Sequence, residues 1–285
     1  MIYITGTNGF VGKNFTNLLE KKSVKYYSLK RKKKLGVNNK TSYVNFPKTS
    51  TSSNKILIHL ASPSVVKLYR KKNYTDKEIL HCFENEIDSI ISLIKFYKKN
   101  NFKKLIYIST SSIYGKRNYN SPFKESDNPN PNDFYSRIKL ALEMIIKKEV
   151  KNYIILRPFQ IYGEFDFQKR LIPTLVKAKK NQKLQLQDCL QVTDLIHVQD
   201  VCEIIYKLCI LNIKNHIFNL GSGKPIRLRN IVKIISKIRG NCFKYSFKNL
   251  NSKKITNFCY ADTTQLFSKI KYKLKKFPIS RYEIY

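Results

Sequence analysis

Met1-Ile-Tyr-Ile-Thr-Gly-Thr-Asn-Gly-Phe-Val-Gly-Lys-Asn-Phe-Thr-Asn-Leu-Leu19 is the stretch whose reading decides the fold. Its first five residues are mostly β-branched or aromatic, the composition of a strand. Gly6, Gly9 and Gly12 follow at a three-residue spacing, and Val11, Phe15, Leu18 and Leu19 then recur at helical intervals. Strand, glycine turn, helix is the context a dinucleotide fingerprint needs. Gly6 permits the tight turn, Gly9 lets a pyrophosphate approach the backbone, and Gly12 lets the helix pack close to the strand. The helix start offers N–H groups without intrahelical partners to phosphate oxygens. Asn8, Phe10 and Val11 complete the expected cofactor cradle. The chain has only nine glycines, and three of them stand here.

Outward from this stretch, strand and helix patterns alternate, which implies a parallel, doubly wound α/β sheet. A second strand is expected at 23–29. Its end selects the cofactor in such folds: a carboxylate there bonds a ribose 2′-hydroxyl, whereas a basic residue accommodates a 2′-phosphate. Here the sequence runs Leu29-Lys30-Arg31-Lys32-Lys33-Lys34, without an acid. Lys30 and Arg31 therefore favour NADP(H) over NAD(H). Residues 38–54 read as loop with a short strand at 43–46. Residues 55–62 are a buried strand, 74–100 a long amphipathic helix and 104–108 the next strand. Ser109-Thr-Ser-Ser-Ile-Tyr-Gly115 puts hydroxyls at that strand's C-terminal end, the edge where open α/β sheets bind ligands.

A helix is expected to start at Asp133, a suitable N-cap, and to carry Tyr135-Ser-Arg-Ile-Lys139 in its first turns. Tyr and Lys at i and i+4 share one helix face. An ammonium beside the phenol favours phenolate and is expected to lower the Tyr135 pKa towards working pH. The motif is weak alone, since chance supplies about three Tyr-x-x-x-Lys matches in a chain this rich in both residues. Only Tyr135–Lys139 follows a hydroxyl-rich strand end. Farther on, 153–161 reads as a core strand, 171–180 as a helix, 184–187 as a short strand, 200–211 as a helix, 217–220 as the last core strand and 226–238 as a helix. His197 is expected to be structural.

With 285 residues and 42% hydrophobic content, the chain can bury a sizeable core. It has no run of ~18 apolar residues for a membrane span and no signal-peptide pattern. The six cysteines show no metal-ligand or C-x-x-C spacing, so reduced packing thiols in a cytoplasmic protein are expected and no metal site. The net charge of +36 invites a nucleic-acid reading. The excess is dispersed lysine, accompanied by frequent Asn, Ile and Tyr, as an A+T-rich coding sequence produces. Nucleic acid is not an expected partner, although the positive field favours anionic ligands such as nucleotide diphosphates.

At this point the chain resembles the extended short-chain dehydrogenase/reductase superfamily, in its branch of nucleotide-sugar epimerases, dehydratases and reductases. Thr5-Gly-Thr-Asn-Gly-Phe-Val-Gly12 is similar to the family's T-G-x-x-G-F-x-G, and His59-Leu-Ala-Ser62 to its H-L-A-A. Ser109 to Gly115 resembles the catalytic S-[ST]-x-x-V-Y-G strand end. Leu156-Arg-Pro-Phe-Gln-Ile-Tyr-Gly163 resembles L-R-P-x-N-V-Y-G, and Asp194-Leu-Ile-His-Val-Gln-Asp200 resembles R-D-x-I-x-V-x-D. Asn219-Leu-Gly-Ser-Gly223 and Tyr260-Ala-Asp262 match later landmarks.

The resemblance implies a Rossmann core over 1–163, rejoined by 194–221, with a substrate lobe from 164–193 and 222–285. It implies Thr110 as the residue bonding the reacting sugar oxygen, Tyr135 as general acid/base, and Lys139 as the residue holding the nicotinamide ribose. Leu60, Ala61 and Pro158 join the implied cofactor contacts; Ser111, Ser112, Gln160 and Lys254 are the implied substrate contacts. Ser111 and Ser112 replace the Asp-Glu of 4,6-dehydratases, which argues against water elimination. Gln160 replaces an Asn and Thr193 an Arg, for which Lys253 or Lys254 is a candidate substitute. The acidic residue usual near Asn45 is missing. Two activities stay open: reduction of a nucleoside-diphosphate 4-keto-6-deoxyhexose, as in abequose- and paratose-forming synthases, or NAD-dependent 4-epimerisation. The Lys30-Arg31 stretch and the Gly163-Glu-Phe-Asp166 loop lean to the reductase. A non-catalytic NADP-sensing or RNA-associated protein is the alternative of another class. The resemblance also implies a homodimer through the helices at 74–100 and 133–150.

Overall fold

A computed structural model describes residues 1–33, 41–44, 54–71, 73–248 and 257–275. The elements run β1 (Ile2–Thr5), α1 (Phe10–Lys21), β2 (Tyr26–Lys33), β3 (Thr41–Val44), β4 (Ile56–His59), α2 (Pro63–Tyr69), α3 (Asp76–Lys99) and β5 (Lys104–Ile108). After a 3-10 turn at Ser111–Tyr114 come α4 (Phe134–Glu149), β6 (Tyr153–Pro158), β7 (Gln160–Tyr162), α5 (Leu171–Val176), β8 (Lys183–Leu186), β9 (Val192–His197), α6 (Val198–Ile210) and β10 (His216–Leu220). The chain then adds β11 (Pro225–Arg227), α7 (Leu228–Ile238), β12 (Lys244–Phe247), β13 (Phe258–Cys259) and α8 (Thr264–Ile270).

Among the described residues the central sheet has the order β10-β6-β5-β4-β1-β2-β3. Six strands run parallel, and β3 closes the edge antiparallel to β2. Strand alternation divides the core in two. Ile2, Ile4, Ile58, Ile106 and Phe218 face one side, with Phe15 and Leu19 of α1 and Val201, Ile205 and Leu208 of α6. Tyr3, Leu57, Leu105 and Tyr107 face the other, with Ile90, Leu93 and Ile94 of α3 and Ile138, Leu142 and Ile146 of α4. Each fully buried aliphatic side chain contributes about 1.5–3 kcal/mol, so the sheet is a firm platform for whatever projects from its C-terminal edge. The order reverses between β1 and β4, the switch point where such sheets bind ligands.

The remaining strands lie outside that platform. β7, β11 and β13 all pair with β9, and β8 pairs with β12. Their core joins Tyr162, Ile172, Leu175, Leu195, Ile231, Val232, Ile235 and Phe243.

Several expected bounds shift. The second strand does not stop at Leu29; it runs to Lys33, because β3 pairs with its extension at Lys30↔Val44 and Arg31↔Tyr43. The expected strand at 153–161 is two strands. Pro158 has no N–H to continue the ladder, the Phe159 N–H turns to the Leu220 carbonyl at 2.9 Å, and Gln160 starts a pairing with Leu195. The helix expected at 171–180 ends at Val176. Ile226 and Arg227, expected to open the helix at 226–238, are drawn with Pro225 into β11 by β9. On α3 the apolar residues Leu80, Phe83 and Ile91 are exposed at 58%, 38% and 39%. Asn45, Lys253 and Lys254 lie outside the described residues. Among the described residues no helix is long and apolar enough to cross a membrane.

Candidate active site

The glycine turn is held by backbone sterics. Gly6 has φ +81°, a conformation L side chains rarely adopt, and a Cβ there would come within 2.7 Å of the Ala61 nitrogen. A Cβ on Gly12 would run into the Gly6 carbonyl oxygen. That oxygen accepts the Gly9 N–H at 3.0 Å, closing the turn. Gly9 is the N-cap of α1, with no side-chain cap and no acidic residue in the first helical turn. The N–H groups of Phe10, Val11 and Gly12 therefore open the helix with no carboxylate of α1 beside them, which fits the diphosphate of a dinucleotide. Asn8 stands exposed on the turn.

Neighbouring strands tie this cradle down. Thr5 Oγ1 lies 2.6 Å from His59 Nδ1, and Thr7 Oγ1 lies 2.7 Å from Ser28 Oγ. Leu60 and Ala61 leave β4 directly against Gly6. Lys30 is exposed and follows Leu29, the residue level with Thr5 at the end of β1. Asn14 Nδ2 donates to the Phe10 carbonyl at 3.0 Å and the Glu164 carbonyl at 2.8 Å, joining α1 to the loop after β7.

The second cluster stands where β5 ends. Thr110 is the N-cap of the 3-10 turn: its Oγ1 accepts from the Ser112 N–H at 3.1 Å and donates to Ser112 Oγ at 3.1 Å, near enough to the Tyr135 phenol to favour its ionised form. Tyr135 lies in the first turn of α4, capped by Asp133, whose Oδ1 accepts the Ser136 N–H at 2.7 Å. Lys139 follows one turn later and is 4% exposed. Its Nζ donates to Ser62 Oγ at 2.8 Å, Tyr107 OH at 3.2 Å and the Ile108 carbonyl at 3.0 Å. The structure thus brings Thr110, Tyr135 and Lys139 together at the sheet edge, beside the glycine turn.

The expected lowering of the Tyr135 pKa is not found. Burial raises it above the usual phenol value, the hydrogen bond from Thr110 opposes this, Tyr69 and Asp133 raise it further, and Arg170 opposes them. Lys139 shares the helix face with Tyr135, but its three protons go to other acceptors. Its own pKa is pushed down to about 8 by burial, while the carboxylates of Glu86 and Glu143 hold it up.

Other motif residues form the support. Arg157 Nη2 pairs with Glu143 Oε2 at 2.7 Å, and its Nη1 donates to Tyr114 OH at 2.9 Å. Tyr114 OH donates to Asn219 Oδ1 at 2.7 Å, and the Asn219 N–H donates to Glu125 Oε1 at 2.8 Å. This buried network clamps the turn after Thr110 to β6, β10 and α4. Asp194, with no exposed surface, accepts from the backbone N–H groups of Ser222, Gly223 and Ala261 at 2.7, 2.9 and 3.1 Å. His197 caps α6 by accepting the Gln199 N–H at 3.3 Å.

Ser111 is buried and Ser112 exposed in the turn; Pro158 ends β6, and Gln160 is exposed at the start of β7. Sequence reasoning missed the wall around Tyr135. The Tyr69 ring lies 5.0 Å from that of Tyr135. Arg70 sits 4.0 Å over the Phe167 ring, reaching from α2 to the loop after β7. Arg170 on that loop pairs with Asp166 at 2.9 Å. An aromatic-cationic pair between two segments distant in sequence leaves no periodic signal.

Comparison with known proteins agrees with this geometry. The profile of the NAD dependent epimerase/dehydratase family matches residues 2–221. A GDP-6-deoxy-D-talose 4-dehydrogenase of Aggregatibacter actinomycetemcomitans is 28% identical over 244 residues, covering 83% of this chain and 79% of that protein. The structure of RMD from Pseudomonas aeruginosa complexed with NADPH superposes with a TM-score of 0.77 at 19% identity, covering 96% of this chain and 93% of that one. The UDP-glucose 4-epimerase of Thermotoga maritima with UDP-glucose gives 0.76 at 20% identity, with coverages of 96% and 93%.

Proposed function

The chain belongs to the NAD dependent epimerase/dehydratase family, and we propose that it reduces the 4-keto group of a nucleoside-diphosphate 6-deoxyhexose, with NADP(H) as cofactor. The observation that carries this reading is the convergence of Thr110, Tyr135 and Lys139 at the end of β5, beside the uncapped start of α1. A bound nicotinamide supplies the hydride chemistry. Gly6, Asn8, Gly9, Phe10, Val11 and Gly12 hold its diphosphate, with Leu60, Ala61 and Pro158 lining the same edge. Lys139 binds the nicotinamide ribose. Lys30 and Arg31 meet the 2′-phosphate.

The chain's own chemistry is proton delivery. Tyr135 gives its phenolic proton to the C4 oxygen as that oxygen becomes a hydroxyl, and Thr110 orients the same oxygen. A raised phenol pKa suits a group that must hold its proton until the carbonyl is reduced. Ser111 and Ser112 bring no carboxylate to the turn, so the acid–base pair for water elimination is missing there. Ser111, Ser112, Gln160 and Lys254 are assigned to the sugar nucleotide, over which a lobe made of 164–193 and 222–285 lies. The similarity to a dehydrogenase acting at C4 of a GDP-6-deoxy sugar supports this substrate class.

NAD-dependent 4-epimerisation is the second reading, favoured by a UDP-glucose 4-epimerase of Halalkalibacterium halodurans that is 24% identical over 222 residues. The exposed apolar residues Leu80, Phe83 and Ile91 on α3 and Met144 on α4 support a homodimer through these two helices. The deciding assay follows NADPH and NADH absorbance with nucleoside-diphosphate 4-keto-6-deoxyhexoses. Stoichiometric oxidation of NADPH with formation of a C4 hydroxyl is expected. Interconversion of C4 epimers with no net cofactor change establishes the epimerase instead.

A further inference from the structure

Lys139 is an ammonium in a place that opposes ammonium ions. It is 4% exposed, and its three direct acceptors, Ser62 Oγ, Tyr107 OH and the Ile108 carbonyl, are all neutral. Burial among neutral acceptors drives a lysine to lose its proton. The counter-charge must come from carboxylates, and two act on it, Glu86 and Glu143. Glu143 is already matched, since Arg157 donates to both of its oxygens at 2.7–3.3 Å. Glu86, on α3, is 2% exposed, and its Oε1 accepts the Val65 N–H at 3.3 Å. Val65 lies in the first turn of α2, three residues after Ser62. One carboxylate therefore both acts on the ammonium through its charge and pins the corner that delivers the Ser62 acceptor.

The phenol of Tyr107 is fixed as firmly. Its ring stacks on His59 at 5.8 Å, and His59 is tied to Thr5 at 2.6 Å. The Lys139 ammonium lies 4.9 Å from the Tyr107 ring centroid as well as against its hydroxyl. Tyr107 is fully buried, and burial with the charges of Glu86 and Glu143 keeps its proton on, so it acts as a neutral acceptor.

We propose that Glu86 and Tyr107 are positioning residues for Lys139, a buried carboxylate from α3 and a buried phenol from β5 that hold its ammonium in place one helical turn from Tyr135. Among the described residues, Lys139 is bonded by Ser62 ahead of α2 and by Tyr107 and the Ile108 carbonyl of β5, and the charges of Glu86 from α3 and Glu143 from α4 act on it, with His59 of β4 behind Tyr107 and Arg157 of β6 balancing Glu143. Neither Glu86 nor Tyr107 touches the reacting atoms. Both act by keeping Lys139 charged and aimed. The inference rests on the reading that Lys139 contacts the cofactor.

The test is the dissociation constant for NADPH as a function of pH, from about 6 to about 9.5 to span the lysine transition, for the wild type, Glu86→Gln, Tyr107→Phe and Lys139→Met. Wild-type affinity is expected to fall as pH rises through about 8. In Glu86→Gln the fall moves down by about one pH unit, which makes binding about fivefold weaker than wild type at a pH near the Lys139 transition and equal to it under mildly acid conditions. Tyr107→Phe keeps the stacked ring and shifts the fall in the same direction by less. A Glu86→Gln curve that superimposes on the wild type, or lies below it by one constant factor at every pH, overturns the proposal, because a structural defect alone does not move the transition. If Glu86→Gln does not fold, an unshifted Tyr107→Phe curve overturns it in the same way. Failure of the underlying reading looks different: Lys139→Met then binds NADPH as tightly as the wild type at every pH.

Discussion

Two clusters meet at the same sheet edge and are held by different means. The glycine turn is specified by backbone geometry: Gly6 and Gly12 sit where a Cβ collides with main chain, and no side chain caps α1. The Thr110–Tyr135–Lys139 cluster is specified by buried polar side chains from five elements, including Ser62, Tyr107, Glu143 and Arg157. The first needs small residues at a fixed spacing in one short segment. The second needs partners from 14 to 77 residues apart in sequence, Arg157 with Glu143 and Lys139 with Ser62 being the two ends of that range. A binding surface can be built from main chain alone, whereas a proton-transfer site needs its charges balanced from all sides.

The difference can be broken at either cluster. The largest effect is expected from Tyr135→Phe, which removes only the proton donor. The turnover number should fall by about 10²–10⁴-fold, with the thermal midpoint and cofactor affinity unchanged in parallel melts and titrations. Arg157→Met comes next. It leaves Glu143 buried without its partner and unclamps Tyr114, and denaturant melts should show a loss of about 3–5 kcal/mol. Gly12→Ala drives a methyl group into the Gly6 carbonyl. It should cost about 1–3 kcal/mol of stability and weaken cofactor binding, while Tyr135 and its partners stay in place. The smallest effect is expected at Lys30. Lys30→Ala should weaken NADPH binding by about threefold, the scale of an exposed ion pair, and leave NADH binding unchanged. Equal loss for both nucleotides would remove Lys30 from the 2′-phosphate site.

The same contrast explains what could be read in the sequence. The first strand, the glycine turn and α1 follow from a local pattern, and the structure has them as expected. That Tyr135 and Lys139 share one face at the start of α4 was legible because their i, i+4 spacing follows a hydroxyl-rich strand end. What that spacing cannot convey is where an ammonium points. Lys139 turns to Ser62, Tyr107 and Ile108, so the expected lowering of the Tyr135 pKa gives way to a rise caused by burial. Arg157, Tyr114 and Asn219 were visible only as parts of motifs, and their meeting in one hydrogen-bonded chain is a product of topology. The break at Pro158 and the capture of 225–227 by β9 have the same origin: partners distant in sequence decide which ladder a short segment joins. Tyr69 beside Tyr135 and Arg70 over Phe167 depend on how α2 meets the loop after β7, for which no residue pattern exists.

Under the proposed function, this site reduces a 4-keto sugar with a cofactor that enters and leaves. The most direct test is to denature the purified protein, identify any nucleotide released, and then titrate nucleotide-free protein with NADPH and NADH. No stoichiometric NAD is expected in the released fraction, and NADPH is expected to bind more tightly than NADH. Release of one NAD per chain would contradict that function, since a retained and recycled cofactor is what a 4-epimerase needs.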